Sequence, residues 1–136
     1  MKGFASIFAV LTLLCLARTT SSEDPELRFL SAQLPMFPPI AQTAHVTGLV
    51  NASFLVDESG NVISATILSG PKILADETEK NIRTWKFASL PPAVRAPWKD
   101  HTTFVYAYGS DPLETLTIKM HTYRHIEINI EPPMIQ

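Results

Sequence analysis

The sequence predicts an α+β two-layer domain: an antiparallel sheet with two helices on one face, in the order α-β-β-α-β, followed by a C-terminal β-hairpin. Three observations predict it. First, Val50, Ala52, Phe54 and Val56 share one face of Leu49–Val56, with Asn51 and Ser53 on the other, the period-2 signal of a half-buried strand. Second, Ile63, Ala65 and Ile67 repeat that signal over Val62–Ser69, after the loop Asp57-Glu58-Ser59-Gly60-Asn61. Two such runs joined by a short glycine-containing loop form a hairpin. Third, Leu74, Thr78, Ile82 and Trp85 recur at spacings of four, four and three, which makes one face of a helix.

Residues 1–22 read as a secretory signal, or as an anchor if left uncleaved. Lys2 precedes an apolar run from Phe4 to Leu16, and Arg18-Thr19-Thr20-Ser21-Ser22 follows, the order of n-region, h-region and small residues. The run is shorter than the ~20 residues that span a bilayer comfortably. Cys15 is the single cysteine and lies inside this segment. The exported chain is then without a thiol, so disulfides, thiolate ligands and cysteine nucleophiles are excluded. Contact with a membrane is expected only through residues 1–17, and only if they are retained.

Residues 23–34 read as a short polar tether, and 35–110 as the domain. Pro35, Pro38 and Pro39 keep the start of the domain extended, since proline fixes φ and removes a donor. Pro39 suits the first position of a short helix over Ile40–Ala44. Pro91, Pro92 and Pro97 exclude regular structure from Leu90 to Trp98. Thr102–Tyr108, rich in β-branched and aromatic residues, is the third strand. In the extension 111–136, Leu116, Ile118 and Met120 alternate with polar residues, as do Ile126, Ile128 and Ile130. This predicts a second hairpin turning near Thr122-Tyr123.

The chain has 136 residues, 46% apolar and 18% charged, and a net charge of −2. That is the composition of one globular domain. The acidic balance argues against a nucleic-acid partner, which calls for a basic surplus.

The ordered set Pro38-Pro39-Ile40-Ala41, Ala44, Gly48, Val50, Phe54, Val56, Asp57-x-x-Gly60-x-Val62, Ile67-x-Ser69-Gly70, Leu74 and Trp85-Lys86-Phe87 resembles the C-terminal domain of TonB. TonB is the envelope protein that couples the inner membrane to outer-membrane transporters. The resemblance runs from Pro35 to Tyr108. It implies a periplasmic binding module, not an enzyme, with no cofactor. In such domains the third strand is an available edge, and the TonB box of a transporter pairs with it by β-augmentation. Here the resemblance puts that edge at Thr102, Thr103, Phe104, Val105, Tyr106, Ala107 and Tyr108. The sequence departs from the family pattern at Phe37-Pro38, where Tyr-Pro is usual, and in the added hairpin. The segment ahead of the domain is short for the spacer of a force transducer. The alternative is therefore a stand-alone structural or self-associating envelope or secreted domain, its edge capped by the hairpin, without transduction.

The remaining polar residues point to no chemistry. Ser59-Gly60 and Ser69-Gly70 lack the preceding glycine of a nucleophile elbow. Asp76, Glu77 and Glu79 lie near a helix start, where solvent and dipole account for them. His121 and His125 are four residues apart. On a helix that spacing can share a zinc, but along one strand it spans about 13 Å. Here the two flank a turn, and no metal is assigned to them.

Overall fold

The computed structural model describes residues 25–110 and 115–133; the expected targeting segment, residues 1–22, lies outside them. The described elements are β1 (Phe29–Ser31), α1 (Pro39–Thr43), β2 (Gly48–Val56), β3 (Val62–Ser69), α2 (Lys72–Ile82), β4 (Lys86–Phe87), β5 (Trp98–Tyr108), β6 (Leu116–Thr122) and β7 (His125–Ile130). The expected α+β architecture is present, with both hairpins. No helix among the described residues is long and apolar enough to cross a membrane.

The β2–β3 hairpin closes through a loop whose geometry requires glycine. Gly60 has φ +89°, and a Cβ there would lie 1.9 Å from the Phe87 carbonyl oxygen. That contact belongs to a working joint, because the Phe87 N–H donates to the Gly60 carbonyl at 2.8 Å. Asp57 completes the loop by accepting the Asn61 N–H on its carboxylate at 2.8 Å. α1 begins on Pro39, as expected, but the left-handed residue after it is His45, φ 55°. Gly48 starts β2.

α2 packs on β2 and β3, burying Leu74, Ala75, Thr78, Asn81 and Ile82. Trp85 follows the helix and sits at the centre of an aromatic cluster. Its ring centroid is 5.4 Å from that of Phe54, 5.6 Å from Phe29 and 5.9 Å from Phe104. Its indole N–H donates to Asn81 Oδ1 at 2.9 Å, so the largest core side chain is buried without stranding a donor.

Three features differ from the sequence reading. The stretch 23–34 is no tether where it is described: Phe29 and Ser31 pair with Phe87 and Lys86, and Leu27 is buried. Apolar Leu27 and Phe29 supply the reason, since Phe29 packs edge-to-face with Trp85 and Phe87 and stacks on Tyr123. Next, β5 starts at Trp98, with Trp98–His101 paired to Val56–Ser53. Pro97 halts pairing only before that point. Last, the five-stranded sheet runs β3-β2-β5-β7-β6 and is mixed. β5 and β7 are parallel, while β2–β3, β2–β5 and β6–β7 are antiparallel. The chain leaves β5, steps over one strand position to β6, and turns back so that β7 fills the gap.

Candidate interaction edges

The strand expected to offer an open edge is interior. Thr103–Tyr108 pair with His125–Ile130 along one side of β5, and Trp98–Tyr106 pair with β2 along the other. Thr102 and Thr103 are tied down as well: Thr102 Oγ1 donates to the Tyr123 carbonyl at 2.6 Å, and the Thr103 N–H donates to the Arg124 carbonyl at 3.0 Å. Phe104 and Tyr106 face the core and are fully buried; Val105 and Ala107 lie on the opposite face. The expectation of a free edge over Thr102–Tyr108 does not hold in this structure. The reason is that Ile126, Ile128 and Ile130 bring a strand of buried apolar residues into that slot, and burying them there outweighs leaving the edge for water.

A buried carboxylate locks the slot. Asp100 lies on the core side of β5, just before β7 begins, and is almost fully buried. Arg124, in the β6–β7 turn, grips it with two hydrogen bonds of 3.0 Å, Nε to Oδ1 and Nη2 to Oδ2. The Tyr123 hydroxyl donates to Oδ2 and the His101 N–H to Oδ1, both at 2.8 Å. The N-terminal segment joins the same network. The Leu27 N–H donates to the Tyr123 hydroxyl at 3.0 Å, and Arg124 Nη2 donates to the Pro25 carbonyl at 3.1 Å.

The electrostatics follow from this packing. Burial raises the Asp100 pKa, but the Arg124 hydrogen bonds, the His101 N–H and the Tyr123 hydroxyl together outweigh it, holding the carboxyl below its usual range. Burial, and then the neighbouring Asp100 charge, push Tyr123 up to about 12. A bidentate pair with its remaining lone pairs satisfied is the form in which a buried ion pair is tolerated.

The two terminal strands are β3 and β6. β6 carries Lys119, a charge of the kind that discourages further pairing. β3, Val-Ile-Ser-Ala-Thr-Ile-Leu-Ser, carries neither charge nor proline. Among the described residues no strand pairs with its outer edge. Its register against β2 slips twice, between Val62 and Ser64 and between Ile67 and Ser69. The extra residues are Ile63 and Leu68, which stand 51% and 62% exposed. Between these bulges Ser64–Ile67 pair regularly. Beside them, Ala65, Ile67, Gly70, Lys72, Ala75, Asp76 and Glu79 line a groove of about 450 Å³ between the strand and α2. Periodicity identified β3 as a strand but gave no sign that it ends the sheet; its lack of charge was the available signal.

The hairpin turn also gathers residues that the sequence kept apart. The rings of His121 and His125 are 5.3 Å between centroids. Each has its Nε2 3.4 Å from a Glu127 carboxylate oxygen. These hydrogen bonds, from His121 first and then His125, hold the Glu127 carboxyl below its usual range.

Residues 33–105 match the family model for the C-terminal region of the Gram-negative bacterial TonB protein. No curated protein matches the chain.

Proposed function

Because the chain belongs to the Gram-negative bacterial TonB C-terminal family, whose members serve transport at the cell envelope, we propose that it is a periplasmic protein-binding module that takes an extended partner segment along β3. The partner class is the TonB-box-like segment of an outer-membrane transporter. The observation that carries this reading is the uncharged β3 edge beside the α2 groove. Strand addition needs a row of unpaired backbone groups for affinity and a groove for alternate side chains. Ser64–Ile67 with the groove against Ala75 supplies both, whereas β7 already fills the place beside β5.

A second reading is favoured by the same hairpin. With the β5 edge capped, the domain also suits a stand-alone structural role in which two copies pair through β3, an isologous contact.

The test is a nuclear magnetic resonance titration of the protein with extended peptides from transporters of its own host. The expected outcome is perturbation of 62–69 and 72–79, with the β7 amides still protected from exchange. Perturbation centred on Thr102–Tyr108, with loss of protection over His125–Ile130, would overturn this reading in favour of hairpin displacement. Concentration-dependent dimerisation without peptide binding would support the second reading.

A further inference from the structure

We propose that His121, His125 and Glu127 form a binding site for one zinc ion at the tip of the C-terminal hairpin. The proposal does not depend on which partner the domain takes.

Each residue contributes one ligand atom, and these atoms lie within 4.8 Å of one another. Two imidazoles and one carboxylate are a borderline donor set. It suits zinc and its neighbours, and does not suit calcium or magnesium, which call for six or more oxygens. Bonds of about 2.0–2.1 Å around a tetrahedral ion put adjacent ligand atoms roughly 3.3–3.4 Å apart. His121 Nε2 is 3.4 Å from Glu127 Oε2, and His125 Nε2 is 3.4 Å from Oε1. With one carboxylate oxygen serving the ion, the remaining separations close by rotation of the exposed rings and the carboxylate. Three protein ligands then leave one tetrahedral position for water.

The backbone explains why these residues converge. In regular pairing His121 would oppose His125 directly. The register slips between Met120 and Thr122, so His121 is the extra residue of a bulge, a device that re-aims a side chain. His125 and Glu127 are two apart on β7 and share a face. The turn between the two histidines is held from the other side of the sheet: Tyr123 is buried, and Arg124 is gripped by Asp100. The ligands therefore stand on a braced support, and an ion would lose little chain entropy in ordering them. One residue works against the site. Lys119 is the cross-strand partner of Glu127, and its ammonium competes for the carboxylate.

The test uses untagged protein and zinc sulfate in isothermal titration calorimetry. One ion per chain is expected, with no heat from magnesium at the same concentrations. His121→Ala and His125→Ala should each weaken binding by at least about tenfold, as loss of a ligand costs no less than loss of a supporting residue. His45→Ala, at an isolated histidine, should leave it unchanged. Zinc should also raise the melting temperature of the natural protein, because binding the folded state alone stabilises it, and should not raise that of the His121→Ala/His125→Ala variant. All three side chains are at the surface, so the variants should keep the metal-free melting temperature. Absence of saturable binding, or equal affinity in both histidine variants, would overturn the site. Full affinity in Glu127→Gln would overturn the three-ligand form of it.

Discussion

On the β5 side of the sheet, the stretch Thr103–Tyr108 is filled, and the terminal strand β6 carries Lys119. β7 pairs with Thr103–Tyr108, three isoleucines anchor it in the core, and Arg124 clamps the turn to Asp100. On the β3 side the sheet stops at eight residues without a charge, beside a groove against α2. The first side spends a buried ion pair on closure. The second leaves two large apolar side chains, Ile63 and Leu68, in water. The difference teaches that an edge in this fold is closed by tertiary anchoring and not by the mere presence of another strand.

The largest effect expected from breaking this contrast is truncation after Ser110. It removes Tyr123, Ile126, Ile128 and Ile130 from the core. At about 1.5–3 kcal/mol for each large apolar side chain, the loss is comparable to the whole stability of a typical domain, about 5–15 kcal/mol. The truncated chain should lose its cooperative thermal transition and aggregate, as read by circular dichroism and light scattering. A monomer with an unchanged midpoint would mean that the hairpin is a detachable cap.

Asp100→Ala should come next, at about 1–3 kcal/mol, because the buried Tyr123 hydroxyl and the partly exposed Arg124 lose their common partner. Denaturant unfolding measures it directly. The same network gives stability a pH dependence at both ends. The Asp100 pKa is depressed on folding, so its contribution is complete above the unfolded value, about 3.9. It is lost as pH falls through the lower folded value. Tyr123 runs the other way. Its pKa rises from 10.0 to about 12, so its contribution is complete below 10.0 and is lost as pH rises through about 12. Asp100→Asn should flatten the acid limb of the stability profile, and Tyr123→Phe should reduce the alkaline limb, to which Tyr106, also raised by burial, contributes. An acid limb of the same slope in Asp100→Asn would place the titrating group elsewhere.

Much of the fold was legible because it is local. The alternation of Val50, Ala52, Phe54 and Val56 and the return after Gly60 located the first hairpin, and Leu74, Thr78 and Ile82 located α2. The site was less legible because strand order is not local. The alternation of Ile126, Ile128 and Ile130 states that β7 has a buried face, but it does not state which strand lies beside it. A hairpin following β5 suggests antiparallel addition at the edge. The parallel insertion is accompanied by Asp100 meeting Arg124, two charges 24 residues apart that no periodicity relates. The β1–β4 pair was hidden for a similar reason: strands of three and two residues are too short for a period to register. His121 and His125 read as flanking a turn, but the bulge that makes His121 the extra residue of β6 leaves no mark in the periodicity.

The smallest expected effect on stability tests the open side. Ile63→Lys with Leu68→Lys places two charges on β3 at positions already 51% and 62% exposed. Surface changes of this kind shift stability by roughly 0.5 kcal/mol or less, so the denaturation midpoint should barely move. Association should change far more, because lysines on an edge strand oppose the approach of another strand. The measurement is a concentration series by sedimentation, run with and without the transporter peptide that binds the natural protein. If the natural protein dimerises and the variant does not, the β3 edge serves a second copy. If both remain monomeric and only the natural protein binds peptide, it serves an extended partner. Equal behaviour of the two proteins in every arm would show that β3 is as closed in solution as β5, and the contrast between the two sides would fail.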